Sequence, residues 1–257
     1  MIKIIFLDFD GTLYSHSIKA IPQSAIDALN KAHDNGIKSF LSSGRDKYEM
    51  SYFDLSKLYL DGMISLNGQV SYDNLFNIID DNPMSGELKN QIVSKFNKKV
   101  TPIILCSEKG FYINFVDDFV RKVQEKISSP VPSVGTYNDE KIYMASCFYE
   151  NIEMQKELMS LENVATITYW QDGGVDIISK GSSKATAISN ILKLYNIKQE
   201  ETMAFGDGHN DISMIKYCNI GVAMGNGHEE LKKAADYVST ALEDDGIALA
   251  LKHFNII

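Results

Sequence analysis

Cysteine is scarce, three in 257 residues, with no Cys-x-x-Cys and no Cys/His spacing that would build a zinc site. That rules out a disulfide framework. Cys106, Cys147 and Cys218 read instead as buried free thiols in a reducing compartment. Basic residues are also in deficit, 25 against 34 acidic ones, for a formal charge of −9. With no basic surplus to displace counterions, nucleic acid is not expected as a partner. A small anionic substrate is still compatible, because one metal ion and one or two cationic side chains can reverse the local field. No stretch approaches the roughly eighteen apolar residues of a membrane span, so no membrane partner is expected. The N-terminal apolar run is only about five residues and then meets two aspartates, unlike a signal peptide. The expected location is cytoplasmic.

Several familiar motifs are missing. DFDGTLYSHSIK lacks the central glycine and closing glutamate of an EF-hand loop, and GDGHND and GNGHEE each lack the last glycine of a dinucleotide fingerprint. There is no GxxxxGK[ST] and no HExxH. His16, His33 and His253 read as surface or core bystanders, whereas His209, inside GDGHND, is a candidate substrate contact.

What is present is an ordinary globular composition, 44% hydrophobic and 23% charged. The opening MIKIIFLDFDGTL is a short β-branched and aromatic run ending on Asp8 and Asp10. It reads as a strand buried on both faces, as in a parallel sheet. Alternation along an extended chain sends both aspartates to one side, where two acids are costly unless a cation or a catalytic task uses them. Helical spacing follows over 22–35, then a strand ending in Ser42-Ser43-Gly44-Arg45, a helix predicted over 46–60, a strand at 62–66 and an Asn67-Gly68 hairpin. This is the opening half of a doubly wound parallel sheet.

Asp80-Asp81-Asn82-Pro83 is a linker by composition. Beyond it, strands joined by tight turns with helices between pairs imply an α+β module. The last quarter returns to alternating helices and strands. The chain is therefore expected to be an α/β core, residues 1–81 and 182–257, with an inserted α+β domain at 82–181.

Asp8 and Asp10, Ser43-Gly44-Arg45, Lys184, and Asp207 with Asn210 and Asp211 all stand at strand ends or helix starts. In an open α/β sheet the loops after the strands share one edge, and ligands sit where strand order reverses, here beside the first strand. Carboxylate oxygens converging there suit Mg²⁺. Ser43, with the Gly44 amide, is a candidate anion cradle. A lysine opening a helix opposes the macrodipole, so an anion is expected near Lys184.

DFDGTL, SSGR, the lysine of KGSSK and GDGHNDISM, then GVAMGN and AADYVST…EDDGIA, resemble the motifs of the haloacid dehalogenase-like hydrolases, specifically the Cof-type phosphatases of subfamily IIB, in order and over essentially the whole chain. The resemblance implies a Rossmann-like core and a cap that sets substrate specificity. It implies a small phosphorylated metabolite, foremost a sugar phosphate, as substrate. Asp8 would be the nucleophile and form a phosphoaspartate. Asp10 would be the general acid/base, and for that burial and nearby negative charge should raise its pKa. Mg²⁺ would be held by Asp8, the Asp10 carbonyl and Asp207, with Asp211 ordering its waters. Ser43, Gly44, Lys184 and Asn210 would hold the phosphoryl group. Arg45 and the loop 171–174 are candidates for substrate contact. A phosphotransferase or mutase of the same superfamily, and a sensor that binds phosphate esters without turnover, are the alternatives.

Overall fold

The structure, a computed structural model, describes residues 1–126, 129–169 and 173–257. The first segment holds β1 (Ile4–Leu7), α1 (Gln23–Asp34), β2 (Lys38–Ser42), α2 (Lys47–Met50), β3 (Gly62–Ser65), β4 (Val70–Asp73) and β5 (Ile78–Asp81). The middle segment holds α3 (Gly86–Lys98), β6 (Ile103–Ser107), β7 (Gly110–Ile113), α4 (Asp118–Lys126), β8 (Ile142–Phe148), α5 (Ile152–Met159), β9 (Ala165–Tyr169) and β10 (Gly174–Ser179). The last holds α6 (Lys184–Tyr195), β11 (Thr202–Gly206), α7 (Ile212–Tyr217), β12 (Ile220–Ala223), α8 (Glu229–Ala234), β13 (Tyr237–Val238) and α9 (Gly246–His253).

The chain divides into two compact units, one of 1–45, 51–80 and 183–257, the other of 46–50 and 81–182. The first is an α/β fold on a sheet ordered β13-β12-β11-β1-β2-β3-β4-β5. β1 lies at its centre, parallel to β2 on one side and β11 on the other, and strand order reverses there. All four β1 residues are fully buried, which accounts for the unbroken apolar run. Phe6, Phe40 and Ile64 pack on one face against Ala187, Ile188 and Ile191 of α6.

The second unit is a five-stranded sheet ordered β7-β6-β8-β10-β9, each neighbouring pair antiparallel. Leu88, Ile92 and Phe96 of α3 and Leu158 of α5 cover Leu105, Ala145 and Val175 on one face. Gly173, at the end of the 171–174 loop, accepts the Tyr149 amide through its carbonyl, whereas Gln171 and Asp172 lie outside the described residues. The thiols of Cys106, Cys147 and Cys218 are buried and unbridged. No helix among the described residues is long and apolar enough to cross a membrane.

Two local expectations are corrected. The helix predicted over 46–60 is only the four residues of α2. Asp54 ends the segment as a turn, its Oδ1 accepting from the Ser56 amide at 3.0 Å and hydroxyl at 2.6 Å, and these local bonds compete with the helix ladder. Asp80 and Asp81 are not free linker but the end of β5. Asp81 accepts from Lys141 Nζ and Tyr143 OH at 2.8 and 2.9 Å.

α2 opens with a reciprocal cap: the Glu49 amide donates to Asp46 Oδ1 at 2.7 Å and the Asp46 amide to Glu49 Oε2 at 3.1 Å. Burial pushes the Asp46 carboxyl up to about 6, and the neighbouring Glu49 charge adds to this. The folded state therefore holds this proton more tightly than the unfolded chain. Stability from the group is greatest below pH ~4 and falls as pH rises toward about 6, by up to ~3 kcal/mol. Asp46→Asn keeps the cap acceptor and removes the charge. It should stabilise the protein by ~2–3 kcal/mol at pH 7.5, with a smaller gain at pH 4.5, read from urea unfolding at both pH values.

Candidate active site

The site is assembled at the carboxyl end of β1. β1 hands over to Asp8, only 6% exposed, and then to a turn at 9–14 fixed by the Phe9 carbonyl accepting from the amides of Leu13 and Tyr14. Phe9 points the other way, its ring 5.3 Å from Tyr14 and 4.8 Å from Phe53.

Lys184 is the first residue of α6, whose N-cap Ser183 forms a capping box with Thr186. Its side chain is fully buried, and Nζ donates to Asp8 Oδ1 at 2.5 Å, Asp211 Oδ1 at 2.6 Å and the Ser42 carbonyl at 2.6 Å. The anion expected beside this lysine is thus the protein's own pair of carboxylates. β11 ends in the Asp207 loop, where Asp211 Oδ2 accepts from the amides of Asp207 and Gly208 at 3.0 and 2.9 Å. Both Asp211 oxygens are engaged, so this acid braces Lys184 and its own loop. Thr12 Oγ1 donates to Asp207 Oδ1 at 2.7 Å.

One carboxylate oxygen each from Asp8, Asp207 and Asp211 lies within 4.8 Å of the others. Burial, then the Asp211 charge, pushes both Asp8 and Asp207 upward, Asp207 to about 7, with Lys184 opposing in each case. Burial alone would lower Lys184, but Asp211 and Asp8 outweigh it and hold its proton firmly. Three carboxylates against one ammonium leave two negative charges uncompensated when all are ionised. All-oxygen donors with that residual charge fit one hard divalent cation.

Gly11 is required here. Its φ is +79°, and a Cβ would fall 2.4 Å from Asp207 Oδ2. Gly11→Ala should displace the Asp207 carboxylate and so weaken binding of a divalent cation at this cluster, measured by calorimetric titration with Mg²⁺.

Asp10 does not share these partners. Arg45 grips its carboxylate with two bonds, Nε to Oδ2 at 2.7 Å and Nη2 to Oδ1 at 2.9 Å, and His16 Nε2 lies 2.8 Å from Oδ1. The expected upward shift is overturned: burial pushes the group up, but the bonds from His16 and Arg45 outweigh it and hold Asp10 down at about 2. Arg45 therefore faces Asp10, its guanidinium 5.1 Å from the Phe53 ring. His16, read as a bystander, is part of the site, while His33 and His253 stack on Tyr59 and Tyr237. His209 is exposed, 4.4 Å from the His228 ring and 3.3 Å from Glu230.

Ser43 is buried, and its Oγ accepts the Arg45 amide at 3.1 Å, which leaves the hydroxyl proton to donate. Asn210 Nδ2 donates to Asn67 Oδ1 at 3.1 Å. Asn226 Nδ2 donates to the Gly11 carbonyl at 2.7 Å and so ties down the turn after Asp10. The sequence by itself marks none of Thr12, His16, Asn67 and Asn226 as a site residue. Only Thr12, inside DFDGTL, and Asn226, inside GVAMGN, carried any local signal.

Residues 5–251 match the profile of the haloacid dehalogenase-like hydrolases. The chain belongs to that family. A Bacteroides thetaiotaomicron structure, BT1666, from a study of haloalkanoate-superfamily phosphatases, superposes with TM-score 0.90 at 31% identity, covering 100% of this chain and 96% of its own. The HAD subclass IIB sugar phosphatase BT4131 superposes with TM-score 0.86 at 33% identity, over 99% of this chain and 100% of its own. The 5-amino-6-(5-phospho-D-ribitylamino)uracil phosphatase YcsE of Bacillus subtilis (strain 168) is 27% identical, over 98% of this chain and 96% of its own.

Proposed function

We propose that this hydrolase is a Mg²⁺-dependent phosphatase of small phosphorylated metabolites, sugar phosphates foremost, acting through a phosphoaspartate on Asp8. The observation that carries the reading is the buried Lys184, which bridges Asp8 and Asp211 beside Asp207. When all three acids are ionised this leaves two uncompensated negative charges at the edge where an open α/β sheet binds ligands. The sugar and ribitylaminouracil phosphatases among its relatives support the substrate class.

Asp8 Oδ1 is held by Lys184, so Oδ2 is the atom that attacks phosphorus while the ester P–O bond breaks. The leaving alkoxide takes a proton from Asp10. Asp10, now a carboxylate, then removes a proton from the water that attacks the acylphosphate, releasing inorganic phosphate and restoring Asp8. The Arg45 fork occupies the same two Asp10 oxygens and keeps them ionised, so the acid step requires Arg45 to release this carboxylate and Asp10 to take up a proton from solvent before the ester P–O bond breaks. The Ser43 hydroxyl and the Asn210 amide are donors for the phosphoryl oxygens, and the Lys184 ammonium, whose three N–H bonds go to Asp8, Asp211 and the Ser42 carbonyl, acts on them through its charge. Asp8, Asp207 and the Asp10 carbonyl would hold Mg²⁺, which when bound neutralises charge on both the carboxylates and the phosphoryl group.

The test is phosphate release from p-nitrophenyl phosphate and a panel of sugar phosphates. EDTA should lower turnover at least about 100-fold and added Mg²⁺ restore it. Mg²⁺ at about a hundred times its Kd should also stabilise the fold by ~2.7 kcal/mol, read as a higher Tm. Equal turnover with and without metal, or none on any monoester, overturns the reading.

A further inference from the structure

Asn67 carries more than a hairpin requires. Its side chain is buried in the turn between β3 and β4, and its backbone is left-handed at φ 55°, as is that of Leu66 before it at φ 53°. Two successive non-glycine residues in this region cost roughly 1–2 kcal/mol each, so the turn must be held by contacts elsewhere.

Those contacts reach three separately folded parts of the site. The Asn67 amide donates to the Ser43 carbonyl at 3.1 Å, and Oδ1 accepts from Asn210 Nδ2 at 3.1 Å. The carboxamide also lies flat against Gly44, where a Cβ would sit 3.3 Å from Oδ1 and 3.4 Å from Nδ2. Gly68, at φ +99°, brings the same turn against the start of α6, for a Cβ there would lie 2.3 Å from the Ser183 carbonyl.

We propose that Asn67 is a positioning residue for phosphoryl transfer, fixing the Asn210 amide and the Ser43-Gly44 turn in one mutual arrangement. One Asn210 N–H is spent on Asn67, so the amide cannot rotate, and its second N–H is presented to the transferring group. This rests on the phosphatase reading.

Asn67→Gly removes the side chain while accepting the left-handed backbone. Its kcat/KM for p-nitrophenyl phosphate with Mg²⁺ should fall about 10- to 100-fold, as when supporting partners are removed elsewhere, without a lower Tm. In an Asn210→Ala background the same change should cost clearly less than it does in the wild type, the remainder being its hold on the Ser43-Gly44 turn. Calorimetric affinity for inorganic phosphate with Mg²⁺ should weaken in parallel. Wild-type-like kinetics in Asn67→Gly, or losses that multiply in full with Asn210→Ala, overturn the proposal. A wild-type protein that binds phosphate without releasing it from any ester sinks the phosphatase reading alone, and calorimetry of Asn67→Gly then decides this one: weaker phosphate binding supports it and unchanged binding overturns it. Absence of phosphate binding by the wild type overturns both.

Discussion

Asp8→Asn should lower kcat by on the order of 10⁴ or more, the scale seen when a covalent nucleophile is lost. Asparagine keeps the volume of the side chain and an oxygen that can accept from Lys184, but it has no carboxylate to attack phosphorus. The same change removes one of three mutually repelling carboxylates, so the fold should be no less stable than the wild type. Activity and stability thus move apart, which separates lost chemistry from lost structure. Phosphate release and the unfolding midpoint, measured on the same preparation, check this. Turnover within tenfold of the wild type would show that Asp8 is not the nucleophile.

Lys184→Ala should damage both. Nζ bonds two members of the acidic cluster, and removing one partner of a buried ion pair costs about 3–5 kcal/mol. For a chain of this size that is roughly 6–20 °C in Tm. On the proposed reading, loss of the fixed positive charge beside the phosphoryl group should cost about 10²–10³ in kcat. The pH dependence follows from the cluster. Burial and mutual repulsion already hold Asp8 and Asp207 above the usual carboxylate range, and losing the ammonium raises them further. Groups raised in this way bind protons more tightly in the folded state, so the variant should be more stable at pH 6 than at pH 8. Mg²⁺ should recover part of the loss at pH 8 by supplying the missing positive charge. A Tm unchanged by the substitution and indifferent to pH would contradict the arrangement.

The alternation of buried strands with amphipathic helices was legible because burial imposes its period directly on the residues. Ile4 to Leu7 had to be a central strand, and Ala187, Ile188, Ile191 and Leu192 had to face a sheet. The motifs at strand ends were legible for a related reason, since chain order in a doubly wound sheet carries those ends to one edge. The 46–60 segment misled because the apolar spacing of Met50, Phe53 and Leu58 is compatible with a helix. The Asp54 turn, which outcompetes it, is a bond of two atoms rather than a pattern.

The residues alone pointed to acids, one lysine and one hydroxyl at one sheet edge, and the resemblance of their motifs supplied the class of chemistry. Only the tertiary structure decided the partners of each group. It gave Lys184 to Asp8 and Asp211 and gave Arg45 and His16 to Asp10, and it brought Asn67 against Asn210. A carboxyl group is protonated or charged according to what stands within a few ångströms of it and how much water reaches it. Those neighbours come from distant parts of the chain, as Thr12 and Asp207, 195 residues apart, do, a closeness that spacing in the sequence does not record.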